Sequence, residues 1–169
     1  GSQTITEVQE KIPYAPVMSM LNCRYFIFGE DNPPVVNPYA YGNAWFTDSS
    51  LAAETPDDEM DLIGKVDLRH TAIIGDDFRE FRERVASSSP ARGDTIYMTA
   101  YSANELHYHY SVSSPRAVLF SEVYYPDGWH ACVRDGEEVE IFRADWILRG
   151  AVLPEGEHDL VMRFDPTVY

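Results

Sequence analysis

Hydrophobic and polar residues change their rhythm part-way along the chain. From Thr95 onward apolar and polar positions alternate with a period of two, and turn formers recur at short intervals, which is the pattern of an antiparallel sheet folded into a sandwich. The pattern predicts strands at Thr95 to Tyr101, Glu105 to Val112, Arg116 to Tyr124, Trp129 to Arg134, Glu137 to Phe142, Trp146 to Val152 and His158 to Phe164. In the second of these, Leu106, Tyr108, Tyr110 and Val112 share the side expected to be core, while Glu105, His107 and His109 share the other. Asp135-Gly136 reads as a hairpin turn, because that turn needs positive φ, and Pro154-Glu155-Gly156-Glu157 reads as another.

Before Gly93 the pattern is mixed. A short helix is expected over Ala15 to Leu21, a strand over Arg24 to Phe28, a proline-rich loop through Asn32-Pro33-Pro34 and Asn37-Pro38, and a strand over Ala44 to Thr47. Thr55 followed by Pro56 and the acids Asp57, Asp58 and Glu59 gives an N-cap, a proline in the first turn and charges that suit a helix start. That helix should run to about Val66, and the acid cluster has a structural explanation. Phe78, Phe81 and Val85 fall on one side of a second helix, Asp77 to Val85. Ser87-Ser88-Ser89-Pro90-Ala91-Arg92-Gly93 separates the two patterns. The expected organisation is a small mixed α/β part at residues 1–92 and, at 93–169, an antiparallel β-sandwich of jelly-roll or immunoglobulin-like type; the fold class is mainly β.

Composition narrows the function. With 28 acids against 13 bases in 169 residues the net charge is −15, so nucleic acid is excluded as a partner. At 44% apolar and 13% aromatic the chain can bury a real core. Its apolar runs are far shorter than the ~20 residues of a membrane span, so it reads as soluble, and Gly1 as the scar of a cleaved tag on an excised piece. Cys23 and Cys132 fit one disulfide or two core positions, and neither has the spacing of a metal knuckle.

Two groups could carry chemistry. Glu105, His107 and His109 project from one side of a strand, with alternate residues about 7 Å apart, as a zinc pair would require; with no third ligand evident, a His-x-His on an amphipathic strand is more commonly its solvated polar side. Glu122, Tyr124, Tyr125 and Trp129 gather rings and a carboxylate near one turn. Sugar sites need flat aromatic faces and carboxylates that accept hydroxyl protons, and the same residues also serve as ordinary sandwich packing. Phosphate loops, nucleophile elbows and His-Glu-x-x-His are missing, and no cofactor is expected.

Met20-Leu21-Asn22-Cys23-Arg24-Tyr25-Phe26-Ile27 resembles the Leu-Asn-x-Lys/Arg-Tyr-x-Ile segment of the YfhO-like bacterial membrane protein family. Asn37-Pro38-Tyr39-Ala40-Tyr41-Gly42-Asn43-Ala44-Trp45-Phe46 is similar to that family's Asn-Pro-x-Ala-Leu-Gly-Asn-Ala-Trp-Phe block. Phe120 to Pro126, Gly128-Trp129, Asp135-Gly136, Arg143-Ala144-Asp145, Leu148-Arg149 and Pro154-x-Gly156-x-His158 follow its closing pattern in order. Cys23, Cys132 and the extra Asp127 depart from it. The resemblance implies the soluble segment of a polytopic protein similar to C-type glycosyltransferases that use lipid-linked sugar donors. That segment is expected on the outer face of the bacterial cytoplasmic membrane, before a last membrane helix, with the membrane portion of the parent chain and a glycan or lipid-linked sugar as partners. No catalytic residue carries over to this chain. The expected role is a non-catalytic accessory domain of cell-envelope glycosylation, the alternatives being a carbohydrate-binding module centred on Trp129 and a metal-dependent hydrolase on Glu105, His107 and His109.

Overall fold

The computed structural model describes residues 5–11, 15–88, 91–133 and 136–166. Two antiparallel sheets face one another. The first has the order β10-β9-β13-β7-β6, from β6 (Thr95–Tyr101), β7 (Glu105–Val112), β9 (Trp129–Val133), β10 (Glu137–Val139) and β13 (Gly156–Phe164). The second has the order β11-β12-β8-β3, from β3 (Ala44–Phe46), β8 (Arg116–Val123), β11 (Ile141–Ala144) and β12 (Leu148–Leu153). The expected sandwich is therefore present. On β7 the alternation holds residue by residue: Leu106, Tyr108, Tyr110 and Val112 are buried while the residues between them are half-exposed. The inner faces interlock through those four side chains, Val118, Phe120, Leu153, Leu160 and Met162, each burial contributing roughly 1.5–3 kcal/mol.

A third layer covers the outer face of the second sheet. It contains the parallel pair β4 (Ser49–Ala53) and β5 (Thr71–Gly75), joined through helix α3 (Pro56–Ile63), and helix α4 (Glu80–Ala86). Ile63, Leu68, Ile73, Phe81 and Val85 pack there on Trp45, Leu119, Phe142 and Leu148, and the rings of Phe81 and Phe142 stack at 4.6 Å. Buried on both sides, β8 carries five consecutive buried residues from Arg116 to Phe120, so its run is continuous where a half-solvated strand would alternate. The same crowding explains Gly150 on β12, where a Cβ would lie 2.6 Å from two atoms of the Phe142 ring. β3, which precedes Gly93 in the chain, joins the edge of the second sheet by pairing Ala44 with Phe120 and Phe46 with Val118.

Local signals account for most of the elements. Thr55 Oγ1 accepts the Asp58 N–H at 3.2 Å and Asp58 Oδ2 accepts the Thr55 N–H at 3.1 Å, a reciprocal capping box at the start of α3. Helix α1 (Ile5–Lys11) and helix α2 (Pro16–Met20) precede a two-residue ribbon, β1 (Tyr25–Phe26) with β2 (Val35–Val36), shorter than the strand expected over 24–28. Gly136 has φ +90° between β9 and β10; Asp135, like residues 89–90 of the boundary segment, lies outside the described residues.

Four expectations are corrected. The stretch 137–142 is two strands, because the chain leaves the first sheet at Glu140 and enters the second. Pro154 to Glu157 make a corner between sheets and no hairpin, since β12 and β13 belong to different sheets. Trp146 lies in a turn ahead of β12. Cys23 and Cys132 are free and only half-buried, so they neither bridge nor fill the core.

Candidate functional site

The polar side of β7 is a set of cross-strand ion pairs. Arg163, directly opposite Glu105 on β13, donates from Nε to Glu105 Oε2 at 2.7 Å, and His107 Nε2 lies 2.5 Å from Glu105 Oε1. Arg163 and then His107 hold the Glu105 carboxyl below its usual range. His109 Nδ1 meets Asp159 at 2.8 Å, with Glu157 at 3.4 Å from Nε2, and Asp159 in particular raises the imidazole pKa. Glu105, His107 and His109 thus share a face but look to different partners. Among the described residues no three His, Cys, Asp or Glu side chains form a group that could hold a metal ion.

The second candidate group lies where β8, β13 and the β6–β7 loop end and β9 begins. The register places Trp129 opposite Phe164, and their rings lie 5.4 Å apart. Two backbone bonds seal this corner, Phe164 N–H to Asn104 O at 2.9 Å and Asp165 N–H to Gly128 O at 2.6 Å. Tyr125, 55% exposed, sets its ring edge-to-face on Phe164 at 6.3 Å. Together with Ala103 and Asn104 these three rings line an open cleft of about 270 Å³.

Below the cleft lies a buried cation. Arg149 is 1% exposed, and its guanidinium stacks 4.1 Å from the Trp129 ring centre, so it occupies the ring's inner face. Nη2 donates to Val123 O at 3.1 Å, Nη1 reaches Met162 Sδ at 3.4 Å, and Nε has no partner among the described residues. Burial lowers the Arg149 pKa and the Glu122 charge opposes that; burial raises Glu122 and Arg149 opposes it. The pair is a weakly solvated charge couple under an aromatic floor, with one ring, Tyr125, left open for stacking.

Family models, curated proteins and solved structures were compared with the chain. None matches. The site therefore has to be read from its own geometry. Trp129 stacks on Arg149, whose charge acts on Glu122, and Tyr125 and Trp129 share the cleft. Tyr124 turns the other way, packing edge-to-face on Phe78 at 5.4 Å. Three members escaped the sequence reading: Asn104, Arg149 and Phe164. For Arg149 a signal existed, since period two puts it on the inward side with Ala151 and Leu153, and an arginine at a core position is an anomaly. A larger cleft of about 750 Å³ at the opposite end of the sandwich is lined by Arg84, Ser114, Glu138 and Pro154 among others, with no aromatic side chain among them, and Arg84 there is paired with Glu140 at 2.9 Å. Among the described residues no helix is long and apolar enough to cross a membrane.

Proposed function

We propose that this chain is a non-catalytic recognition domain, carried on the outer side of the bacterial cytoplasmic membrane by a glycosyltransferase-like membrane protein, and that the Tyr125–Trp129–Phe164 cleft receives glycan or acceptor. The observation that carries the reading is the cleft itself: two rings, Trp129 and Phe164, placed opposite each other by strand register, and a third, Tyr125, set edge-to-face on Phe164 and open to solvent. Such a surface suits the C–H face of a pyranose, with the Asn104 amide at its rim. The parentage rests on the YfhO-like resemblance. Its first two motif segments meet in space, where Asn37 Nδ2 donates to Cys23 O at 2.8 Å and the Asn37 N–H to Arg24 O at 2.8 Å. Tyr25 and Val36, opposite each other in the β1–β2 ribbon, and Ile27 are exposed apolar side chains, as suits a domain seated against a further part of its parent.

Calorimetric titration with gluco-, manno- and N-acetylglucosamine oligomers tests the glycan site. Heat of binding lost in Tyr125→Ala with the fold intact is the expected result; no heat with any of the sugars refutes it. A topology reporter fused to the full-length parent tests the location.

A further inference from the structure

Another cleft, sharing no residue with the aromatic one, opens between the loop that follows β2 and the turn that precedes β5. Its volume is about 390 Å³, within the range of small-ligand sites.

Both walls are fixed from beneath. In the loop, Asn37 is buried, its amide donates to Cys23 O at 2.8 Å and its Oδ1 accepts the Tyr39 N–H at 3.0 Å. The Tyr41 N–H donates to Ser19 O at 3.0 Å. In the turn, Asp67 Oδ1 accepts the Arg69 N–H at 3.0 Å, the Asp67 carbonyl accepts the His70 and Thr71 N–H groups, and Leu68 is buried. Trp45 ties the two walls together. Its Nε1 donates to Leu68 O at 3.2 Å, and its ring meets the Tyr41 ring edge-on at 5.1 Å. Arg69 is thereby set over the Tyr41 ring, its Cζ 5.3 Å from the ring centre.

The groups presented by these walls are unpartnered. Arg82, Arg84, Arg116, Arg143 and Arg163 each hold a carboxylate, as befits an acidic chain. The Arg69 guanidinium makes no hydrogen bond or ion pair among the described residues, although Asp67 lines the same cleft. The Tyr41 hydroxyl likewise has no hydrogen-bond partner among them. Burial and then the Asp67 charge raise its pKa, with Arg69 opposing, so it stays protonated and able to donate. Tyr39, 51% exposed, lines the cleft beside them.

Each group selects one part of a ligand. A guanidinium with its fork open suits a carboxylate or a phosphate. Asp67 decides between the two, because its charge repels a dianion while its oxygens accept protons from hydroxyls. A tyrosine ring takes the apolar C–H face of a pyranose. One negative charge, several hydroxyls and a flat apolar face together describe a sugar acid.

We propose that this cleft binds a hexuronate unit, with the carboxylate on Arg69, hydroxyls on Asp67 and Tyr41, and the ring face on Tyr39. The site goes beyond the glycan reading of the Tyr125 cleft and stands or falls apart from it.

The test is calorimetric titration of the wild type, Tyr125→Ala and Arg69→Gln, with thermal unfolding of each protein followed alongside. The probes are dimers and trimers of glucuronate and galacturonate, the neutral dimers and trimers of glucose and galactose, and inorganic phosphate. Uronates should bind the wild type and Tyr125→Ala alike, and in Tyr125→Ala at least tenfold more tightly than the neutral sugars or phosphate. Arg69→Gln should weaken them at least tenfold and unfold at the wild-type temperature, since Arg69 is exposed and its side chain touches only the Tyr41 ring. Uronate heat lost in Arg69→Gln, with no heat from any neutral sugar in the wild type, upholds this inference and refutes the Tyr125 reading. Uronate affinity that is unchanged in Arg69→Gln, or lost in Tyr125→Ala, overturns the inference. So does a neutral sugar or phosphate that binds Tyr125→Ala as tightly as the uronates, and so does absence of uronate heat in the wild type.

Discussion

Asp145 is fully buried, and its environment stabilises the protonated form. Burial pushes its pKa from 3.8 up to about 8; the Ile73 N–H bond opposes the shift and the Glu59 charge adds to it. Its Oδ2 has no hydrogen-bond partner among the described residues. Between pH 3.8 and 8 the folded chain therefore keeps a proton that the unfolded chain has released. Stability from this group is complete below the unfolded value and is lost as pH rises to the folded one, at about 1.4 kcal/mol per pH unit. From pH 4 to pH 7 the loss is roughly 4 kcal/mol, a large share of the 5–15 kcal/mol typical of a domain. Asp145→Asn keeps the Oδ1 acceptor for Ile73 and cannot ionise. Whatever its amide hydrogens cost inside is independent of pH, so the slope is the diagnostic quantity. Urea denaturation of both proteins from pH 5 to pH 9, followed by far-ultraviolet circular dichroism, should show the stability difference moving in favour of the variant by about 1.4 kcal/mol per unit up to pH 8 and then levelling. Parallel curves over the whole range would refute the buried, protonated Asp145.

Asp94 has the opposite sign. Desolvation raises its pKa, but the Ala91 N–H, Arg116 and Ser113 outweigh it and bring the carboxyl down from 3.8 to about 2. Its stabilisation, about 2 kcal/mol, is present above pH 4 and lost on acidification to pH 2, a step missing in Asp94→Asn denaturation curves. Arg116, paired with it across the starts of β6 and β8, should cost about 3–5 kcal/mol on truncation to alanine, read by urea unfolding, because the buried Asp94 loses its cation. Gly150→Ala should destabilise by about 2–3 kcal/mol in the same assay, since the Phe142 ring in contact with the new methyl is itself packed on Phe81. Tyr125→Ala should change stability by less than about 0.5 kcal/mol, while Trp129→Ala should lose about 3 kcal/mol by baring Arg149, so only the first is a clean probe of binding. Nuclear magnetic resonance titration should find the His109 pKa above 6.5 and returned toward it in Asp159→Asn.

What the sequence made legible follows from where a residue's neighbours lie. The alternation of β7 and the helix start at Thr55-Pro56 are local signals, and both stand in the structure, where the N-cap also proves to be a reciprocal capping box and α3 ends at Ile63, short of Val66. β5 leaves no alternating signal because a parallel strand covered on both faces has none: Thr71 to Gly75 is simply a short apolar run, which periodicity cannot tell from buried helix. The break at Glu140 was hidden for a related reason. Val139 and Ile141 both pack into the space between the sheets, so the pattern continues smoothly while the chain changes sheet.

Glu59 shows the limit most clearly. As one of four acids between Asp57 and Asp61 it has a sufficient local explanation in the charge of a helix start, and three of them, Asp57, Asp58 and Asp61, are indeed exposed. Glu59 differs because its partners, Arg143 and the Trp146 N–H, lie 84 and 87 residues away. A local rule that explains a residue's presence says nothing about which of its equals has been recruited by a distant strand. The odd partner shows from the other end only in the structure: Asp145 and Trp146 both take positive φ in the three-residue loop between β11 and β12, and a tryptophan held there needs a buried group elsewhere to hold it.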